Sequence, residues 1–228
     1  MGEPVPGGGA APCPASLPAS LPASLPLARA AERFGAYRWA EHRLFELTGA
    51  WAAEATSPEA RVHLDVVSGQ HAWHAELWAH RLPVLDGTDP DALTRPAGPV
   101  MGPLLDELAR ARGTVARLAG LYRVVVPRLL ATYGGHLRRA APAADAPAVR
   151  ALRLVRRDEI ESWEAGEALL EALVAGAGDA AAAAAVQARL EAGLVASWAG
   201  PGLLPWPVAG PPGGPGPVGA EPPPGHDT

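Results

Sequence analysis

The sequence predicts an all-α protein, with a bundle of four helices followed by a fifth, C-terminal helix. Three observations lead to this fold class. Apolar residues recur every three to four positions through most of residues 27–199, which is the period of an α-helix. The alternating pattern of a half-buried strand is almost absent. Prolines and short polar turns divide the periodic region into segments long enough to be bundle helices.

The two ends of the chain differ in composition from its middle. Residues 1–26 hold seven prolines and a tandem Ala-Ser-Leu-Pro repeat, and residues 200–228 hold ten prolines. Such segments cannot continue a helix or bury enough apolar surface to offset chain entropy. We therefore expect disordered tails at 1–26 and 200–228 around one helical domain at 27–199.

Within this domain, a capping signal separates the first two helices. The first helix is predicted over 27–55 from an apolar stripe at helical spacing. The sequence Ser57-Pro58-Glu59 then supplies an N-capping residue, a proline at the first helical position and an acid in the first turn. The second helix is therefore predicted from Pro58 to about residue 82, where Pro83 ends it.

The remaining helices follow a long connection. Residues 83–100 contain four prolines and the turn Asp86-Gly87, so no long helix is expected there. A third helix is predicted over 103–139, with a kink at Pro127. A fourth helix is predicted from about 145 to 176, and a fifth over 179–198.

The lengths of the connections select a topology. Short turns join the first helix to the second and the third to the fourth, which predicts two antiparallel hairpins. The connection at 83–100 has about 18 residues and could extend about 60 Å, which is enough to run the length of a bundle. We therefore expect two hairpins joined by a long crossover, with the first and third helices antiparallel.

Composition excludes several function classes. All 19 basic residues of the 228-residue chain are arginine, so Schiff-base chemistry and the phosphate-binding lysine of P-loops are ruled out. The single cysteine, Cys13, allows neither an internal disulfide nor a thiolate zinc cluster. No glycine-rich phosphate loop is present, so no organic cofactor is implied.

Charge and hydropathy restrict the partners. A net charge of −5 without an arginine-dense face argues against binding to nucleic acid. No apolar run of about 18 residues is present to cross a membrane, and the start of the chain lacks the features of a signal peptide. We therefore expect a cytoplasmic protein. The sequence leaves a homodimer open and indicates no particular protein partner.

Four polar side chains interrupt the apolar stripes: Glu41 on the first helix, His71 and His74 on the second, and Glu159 on the fourth. At about 1.5 Å per residue, the first three lie about 22 Å from the turn that joins their helices, and Glu159 lies about 20 Å from the opposite end. In a bundle about 40 Å long these depths coincide, so we expect the four groups to converge. The other histidines of the domain are predicted to lie at the surface: His42, His63, His80 and His136.

Two interpretations of this cluster remain open. Two carboxylates and two imidazoles are favourable ligands for a divalent transition metal such as iron, manganese or zinc, and histidines at positions i and i+3 share one helix face. Alternatively, the carboxylates and imidazoles satisfy one another, or Arg156 takes the place of the ion beside Glu159 or Glu41. The second interpretation predicts a metal-free, catalytically silent bundle that acts as an interaction or accessory protein.

Two short motifs resemble those of the ferritin-like di-iron carboxylate proteins. Asp158-Glu159-Ile160-Glu161-Ser162 resembles the Asp-Glu-x-x-His signature of their fourth helix. His71-Ala72-Trp73-His74-Ala75 resembles the Glu-x-x-His-Ala of their second helix. The resemblance covers about residues 27–175 and implies a ferritin-like four-helix bundle. It also implies that Glu41 and His74 are metal ligands and that Glu159 takes a bridging position.

The sequence departs from the family pattern on one side of the site. His71 stands where the family has a second bridging carboxylate, and Ser162 stands where it has the histidine of the second iron. At matching depth the third helix offers Tyr122 and two valines. The resemblance therefore implies a centre with at most one ion, of oxidoreductase type if the protein is an enzyme. Tyr122, Arg156 and Ser162 are the expected neighbours of the ligands.

Overall fold

A computed structural model describes residues 25–84 and 89–197, which form helices and connecting turns with no β-strand among them. The predicted all-α class is confirmed. The predicted tails lie outside the described residues except for residues 25 and 26, and so does the turn Asp86-Gly87. The elements in chain order are α1 (Leu27–Glu54), α2 (Pro58–Ala79), α3 (Pro90–Leu93), α4 (Met101–Ala109), α5 (Thr114–Gly120), a π-helical turn (Leu121–Val125), α6 (Val126–Arg139), α7 (Ala146–Leu173) and α8 (Ala177–Ser197).

The helices α1 and α2 begin where the sequence predicts and pack against each other. Ser57 caps α2 because its side chain accepts a hydrogen bond from the N–H of Ala60 at 3.2 Å. The end of α2 falls at Ala79, three residues before the predicted end. The hydroxyl of Ser68 on α2 donates to the carbonyl oxygen of Phe45 on α1 at 3.1 Å, which ties the middle of one helix to the middle of the other.

The connection after α2 packs against α1. The side chain of Arg38 donates to Asp91 at 2.8 Å and to Thr94 at 3.0 Å. Gly35 lies beneath the backbone of Leu93, where a Cβ atom on residue 35 would be only 2.1 Å from the carbonyl oxygen. A residue without a side chain is therefore needed at position 35 for α3 to approach α1 this closely.

The region predicted as the third helix is interrupted. Sequence reasoning predicts one helix over 103–139, but residues 110–113 separate α4 from α5. Gly113 has a φ of +82°, in the left-handed region, which does not continue a right-handed helix. A π-helical turn ends at Val125, two residues before Pro127, where the kink is predicted. Proline has no N–H for the carbonyl four residues earlier, and the wider turn closes with a bond from the N–H of Val126 to the carbonyl of Leu121.

Contacts at both ends of α5–α6 fix its direction against α1. The rings of Tyr37 on α1 and Tyr133 on α6 meet edge to face with their centroids 4.9 Å apart. At the other end, the guanidinium of Arg117 on α5 donates to the carboxylate of Glu54 at 2.5 Å. Tyr37, in the first half of α1, thus meets the second half of α5–α6, and Glu54, at the end of α1, meets the start of α5. The two therefore run antiparallel.

The helix α7 packs against the π-helical turn. The indole N–H of Trp163 donates to the carbonyl oxygen of Tyr122 at 2.8 Å. The ring of Tyr122 crosses α7 at Gly166, where a Cβ atom would lie 2.2 Å from the ring. The missing side chain at position 166 therefore lets a fully buried tyrosine lie between the helices.

The final helix, α8, covers α4 and α5 through four buried apolar residues: Ala183, Val186, Leu190 and Leu194. The methyl groups of Leu190 and Val186 reach Gly120 of α5. Within residues 25–84 and 89–197, no helix combines the length and hydropathy that a membrane span needs.

Candidate metal centre

Four polar side chains from three helices meet in the interior, and they are the four that the sequence predicts to converge. Glu41 comes from α1, His71 and His74 from α2, and Glu159 from α7. One oxygen or nitrogen atom from each lies within 4.8 Å of those of the others. All four residues are at most 2% exposed. The group therefore combines two carboxylates and two imidazoles in a space small enough for one metal ion.

Helix geometry explains why these side chains share one interior space. His71 and His74 are three residues apart, so both point from the same face of α2, and their rings are 6.1 Å apart and nearly perpendicular. Glu41 lies between the buried Tyr37 and Leu44, one turn away on either side. The carboxylate is thus held on the apolar face of its helix.

The Nδ1 atoms of both histidines face both carboxylates. The Nδ1 atom of His71 lies 2.7 Å from an oxygen of Glu41 and 3.3 Å from an oxygen of Glu159. The Nδ1 atom of His74 lies 3.5 Å from the same oxygen of Glu41 and 3.2 Å from the same oxygen of Glu159. Two nitrogen and two oxygen atoms therefore surround one point.

The mutual contacts shift every pKa in the cluster toward the charged form. Burial raises the pKa of Glu41, but the charge of His74 and hydrogen bonds from both imidazoles outweigh it and lower the pKa to about 2. Burial lowers the pKa of His71, but the charge of Glu159 and hydrogen bonds to both carboxylates raise it to about 9. The pKa of His74 is likewise raised against burial, chiefly by the charge of Glu41, to about 11.

The pKa of Glu159 is also lowered, because the charge of His71 and hydrogen bonds from both histidines outweigh burial and the repulsion from Glu41. Without metal, the cluster is therefore two carboxylates and two imidazolium ions, with no net charge. A metal ion would replace the two imidazolium protons as the source of positive charge.

Three polar atoms of the cluster have no hydrogen-bond partner, although they are buried: Nε2 of His71, Nδ1 of His74 and Oε2 of Glu159. A buried polar atom without a partner costs about 1–3 kcal/mol. Nδ1 of His74 is one of the four atoms around the common point and forms ion pairs with both carboxylates, while the oxygen of Glu159 that faces the point is Oε1. The residues present therefore fit a metal ion in their chemistry, and Nδ1 of His74 makes no aligned hydrogen bond that an ion would have to break.

Two further residues hold the ligands in place. The hydroxyl of Tyr133 on α6, which is fully buried, donates a short hydrogen bond to Glu41. The Nε2 atom of His74 lies 3.2 Å from the carboxylate of Asp158, which leaves Nδ1 to face the cluster. A carboxylate on the far nitrogen of a histidine is a common way to orient a metal ligand.

Sequence reasoning misses the role of Tyr133. The apolar stripe of the third helix, continued four residues past Leu129, indicates that this side chain faces the core. The stripe does not indicate that the hydroxyl reaches Glu41, because that depends on the length of the ring and on the rotation of α6.

The predicted neighbours of the ligands have other partners. The hydroxyl of Tyr122 lies 2.6 Å from Nε2 of His63, and the hydroxyl of Ser162 donates to the amide oxygen of Gln70 at 2.5 Å. Arg156 is exposed, and the ion pairs that Glu41 and Glu159 form within the described part of the chain are with histidines.

Two of the histidines predicted at the surface are not surface residues. His136 is 3% exposed, and its Nδ1 atom lies 3.1 Å from the hydroxyl of Tyr37. Burial and the nearby Arg33 lower the pKa of His136 to about 4, so it is neutral. His63 is half-buried because it contacts Tyr122. Counting ligand spacings could not find either residue, since each is held by a tyrosine on another helix.

The chain was compared with protein families, with curated proteins and with solved structures, and none of the three comparisons gives a match.

Proposed function

We propose that this chain is a metal protein that binds one transition-metal ion through Glu41, His71, His74 and Glu159. The observation that carries the proposal is the meeting of these four buried groups within 4.8 Å, with two nitrogen and two oxygen atoms around one point. Two imidazoles and two carboxylates suit iron, manganese or zinc.

The proposal includes a ferritin-like arrangement of the helices. In that arrangement α1–α2 is one antiparallel hairpin and α5–α7 the other, and the chain between α2 and α5 connects them. The contact of Tyr37 with Tyr133 and that of Arg117 with Glu54 support it, because they run α1 antiparallel to α5–α6. The packing of α3 on α1 supports a connection that passes along the bundle.

The proposed centre holds one ion rather than two. A second ion would need further acidic or histidine ligands beside Glu159, and the groups there are the hydroxyls of Tyr122 and Ser162, which bind His63 and Gln70. The proposal therefore does not include oxygen activation at a centre of two metal ions. If the protein is an enzyme, we propose oxidoreductase chemistry at the single ion, which would then be iron or manganese because zinc does not change oxidation state.

A second candidate function is supported by the charge balance of the same cluster. Two imidazolium ions and two carboxylates are neutral together, and the contact of 2.7 Å between His71 and Glu41 is a good hydrogen bond without any ion. In that case the chain is a metal-free bundle with an interaction or accessory role.

Metal analysis of the full chain separates the two candidates. The protein is purified without chelators, and bound metal is measured by mass spectrometry before and after reconstitution with iron, manganese or zinc. The proposal expects about one ion per chain, lost in His71→Gln and retained in His80→Gln, whose histidine is exposed at the end of the same helix. Absence of stoichiometric metal after all three reconstitutions would favour the metal-free bundle.

A further inference from the structure

We propose that the ion reaches this centre through a polar seam between α2 and α7, rather than past α1 or α6. The polar seam consists of His63, Gln70 and His74 on α2, Asp158 and Ser162 on α7, and the hydroxyl of Tyr122. The inference rests on the proposed function, since it assigns an entry route to the same metal site.

Three successive polar contacts build the seam. From one end to the other, Tyr122 meets His63 at 2.6 Å, Ser162 meets Gln70 at 2.5 Å, and Asp158 meets His74 at 3.2 Å. The members from α2 are spaced seven and four residues apart, so they lie on one face of the helix. Polar contacts thus lie at three levels along one face of α2, two of them with α7 and one with the π-helical turn.

The seam joins the buried ligands to the surface. His74 is 1% exposed, whereas the side chain of Asp158, which touches it, is 27% exposed. Gln70 and His63 are half-buried, and Ser162, which bonds to Gln70, is buried. Each of the three contacts therefore includes one partly exposed side chain.

The other sides of the centre are closed by apolar and aromatic side chains. The core-facing residues within one helical turn of the ligands include four that are at most 1% exposed: Tyr37, Leu44, Trp78 and Val155. Tyr133 closes the side of α6 and is fully buried. The ring of Tyr37 meets that of Tyr133 edge to face with the centroids 4.9 Å apart, and the ring of Trp78 stacks on Tyr133 with the centroids 5.7 Å apart.

A divalent ion crosses a protein interior most easily where polar groups replace its water ligands one at a time, because an unpaired charge in an apolar medium is very costly. In the polar seam, the carboxylate of Asp158 is the first negative group at the surface, and the amide oxygen of Gln70 and the hydroxyl of Ser162 are neutral oxygen ligands. The aromatic wall offers the hydroxyl of Tyr133, which is already bound to Glu41.

Two variants of Gln70 test the route in opposite directions. The metal-free full chain is mixed with Co²⁺ in a stopped-flow instrument, and loading is followed by the visible absorption of the coordinated ion. Gln70→Leu keeps the size of the side chain and removes its oxygen, so loading should slow by at least about tenfold. Gln70→Glu adds an anionic oxygen and should accelerate loading, while the equilibrium affinity for Co²⁺ changes little in either variant. Ser68→Ala is the control, because this serine is on α2 but bonds to α1.

The outcomes separate the route from the site. Opposite changes in rate, with the rate of Ser68→Ala unchanged, support the polar seam and cannot both arise from misfolding. Equal rates in both Gln70 variants with normal affinity would overturn the route and leave the metal site standing. If the unsubstituted chain takes up no Co²⁺, Mn²⁺ or Zn²⁺ at equilibrium, the proposed function fails and the route fails with it.

Discussion

Replacing Glu159 with glutamine tests the charge balance of the buried cluster, because the change keeps the shape of the side chain and removes its negative charge. In the metal-free protein at pH 7, His71 and His74 are both protonated, with pKa values of about 9 and 11. After the substitution, one carboxylate faces two imidazolium ions. The least costly response is the loss of the proton from His71.

The size of the effect follows from the pKa of His71. The pKa of His71 is about 9 in the folded protein, above the ordinary value of 6.5. Protonated His71 therefore stabilises the folded state fully below pH 6.5, and this stabilisation is lost as the pH rises through 9. At pH 7 the stability forfeited through His71 is at most about 2–3 kcal/mol, because Glu41 also raises this pKa and stays in place. At pH 9.5 His71 of the unsubstituted protein is mostly neutral, so the part of the cost that acts through His71 should fall below about 0.5 kcal/mol.

Urea unfolding of the chelator-treated full chain at pH 6, 7, 8 and 9.5 measures this difference. Glu164→Gln is the matched control, since Glu164 is exposed on the same helix and its loss should change stability by no more than about 0.5 kcal/mol. If Glu159→Gln and Glu164→Gln unfold alike at pH 7, or if their difference does not shrink at pH 9.5, Glu159 does not balance the two imidazolium ions.

Four further predictions concern the centre and the packing around it. Metal affinity should rise steeply between about pH 6 and 9, because the ion must displace the protons of both imidazoles, and competition titrations that show no pH dependence would contradict this. Without metal, stability should fall as pH drops from 4.5 toward 2, because the carboxylate of Glu41, with its pKa lowered to about 2, becomes protonated. Tyr133→Phe removes the donor to that carboxylate and should lower the free energy of unfolding by about 1.5–3 kcal/mol in urea, so an unchanged midpoint would rule out an important bond. Gly166→Ala should destabilise the protein by about 2 kcal/mol or more, because the added methyl group overlaps the ring of Tyr122. In the control, Gly193→Ala, the methyl group meets open space and should stabilise the protein by about 0.5–1 kcal/mol. Equal melting temperatures of the two variants would contradict the packing of Tyr122 on Gly166.

The convergence of Glu41, His71, His74 and Glu159 could be predicted because it depends on local arithmetic. Rise per residue sets the depth of each group, and helical period sets its face. Both quantities are nearly constant in long helices, and α1, α2 and α7 have 28, 22 and 28 residues. Errors of two or three residues at helix ends change the depth by only about 5 Å, which long side chains can absorb.

The partners of the surrounding residues could not be predicted in this way. Whether Tyr122 turns toward Glu159 or toward His63 depends on side-chain rotamers and on the space left by Gly166. The interruption at Gly113 depends on one backbone angle, and glycine within a periodic stretch is compatible with either a helix or a break. The error at Arg156 has a simpler physical cause, because the two histidines already neutralise both carboxylates and leave no buried charge for an arginine to balance.

The π-helical turn has a consequence for how one helix can serve two neighbours. Tyr122 and Tyr133 are 11 positions apart, which is about three turns of a regular helix and would place both on the same side. Each residue added to an α-helix rotates everything after it by about 100°, and a π-helical turn contains one such extra residue. Tyr122 can therefore lie against α7 while Tyr133 faces α1. The π-helical turn takes up this extra residue, so deleting one residue from 123–125 would restore a regular α-helix and leave the hydroxyl of Tyr133 beside Glu41. Forcing the full segment into a regular α-helix would instead rotate α6 by about 100° and take that hydroxyl away from Glu41.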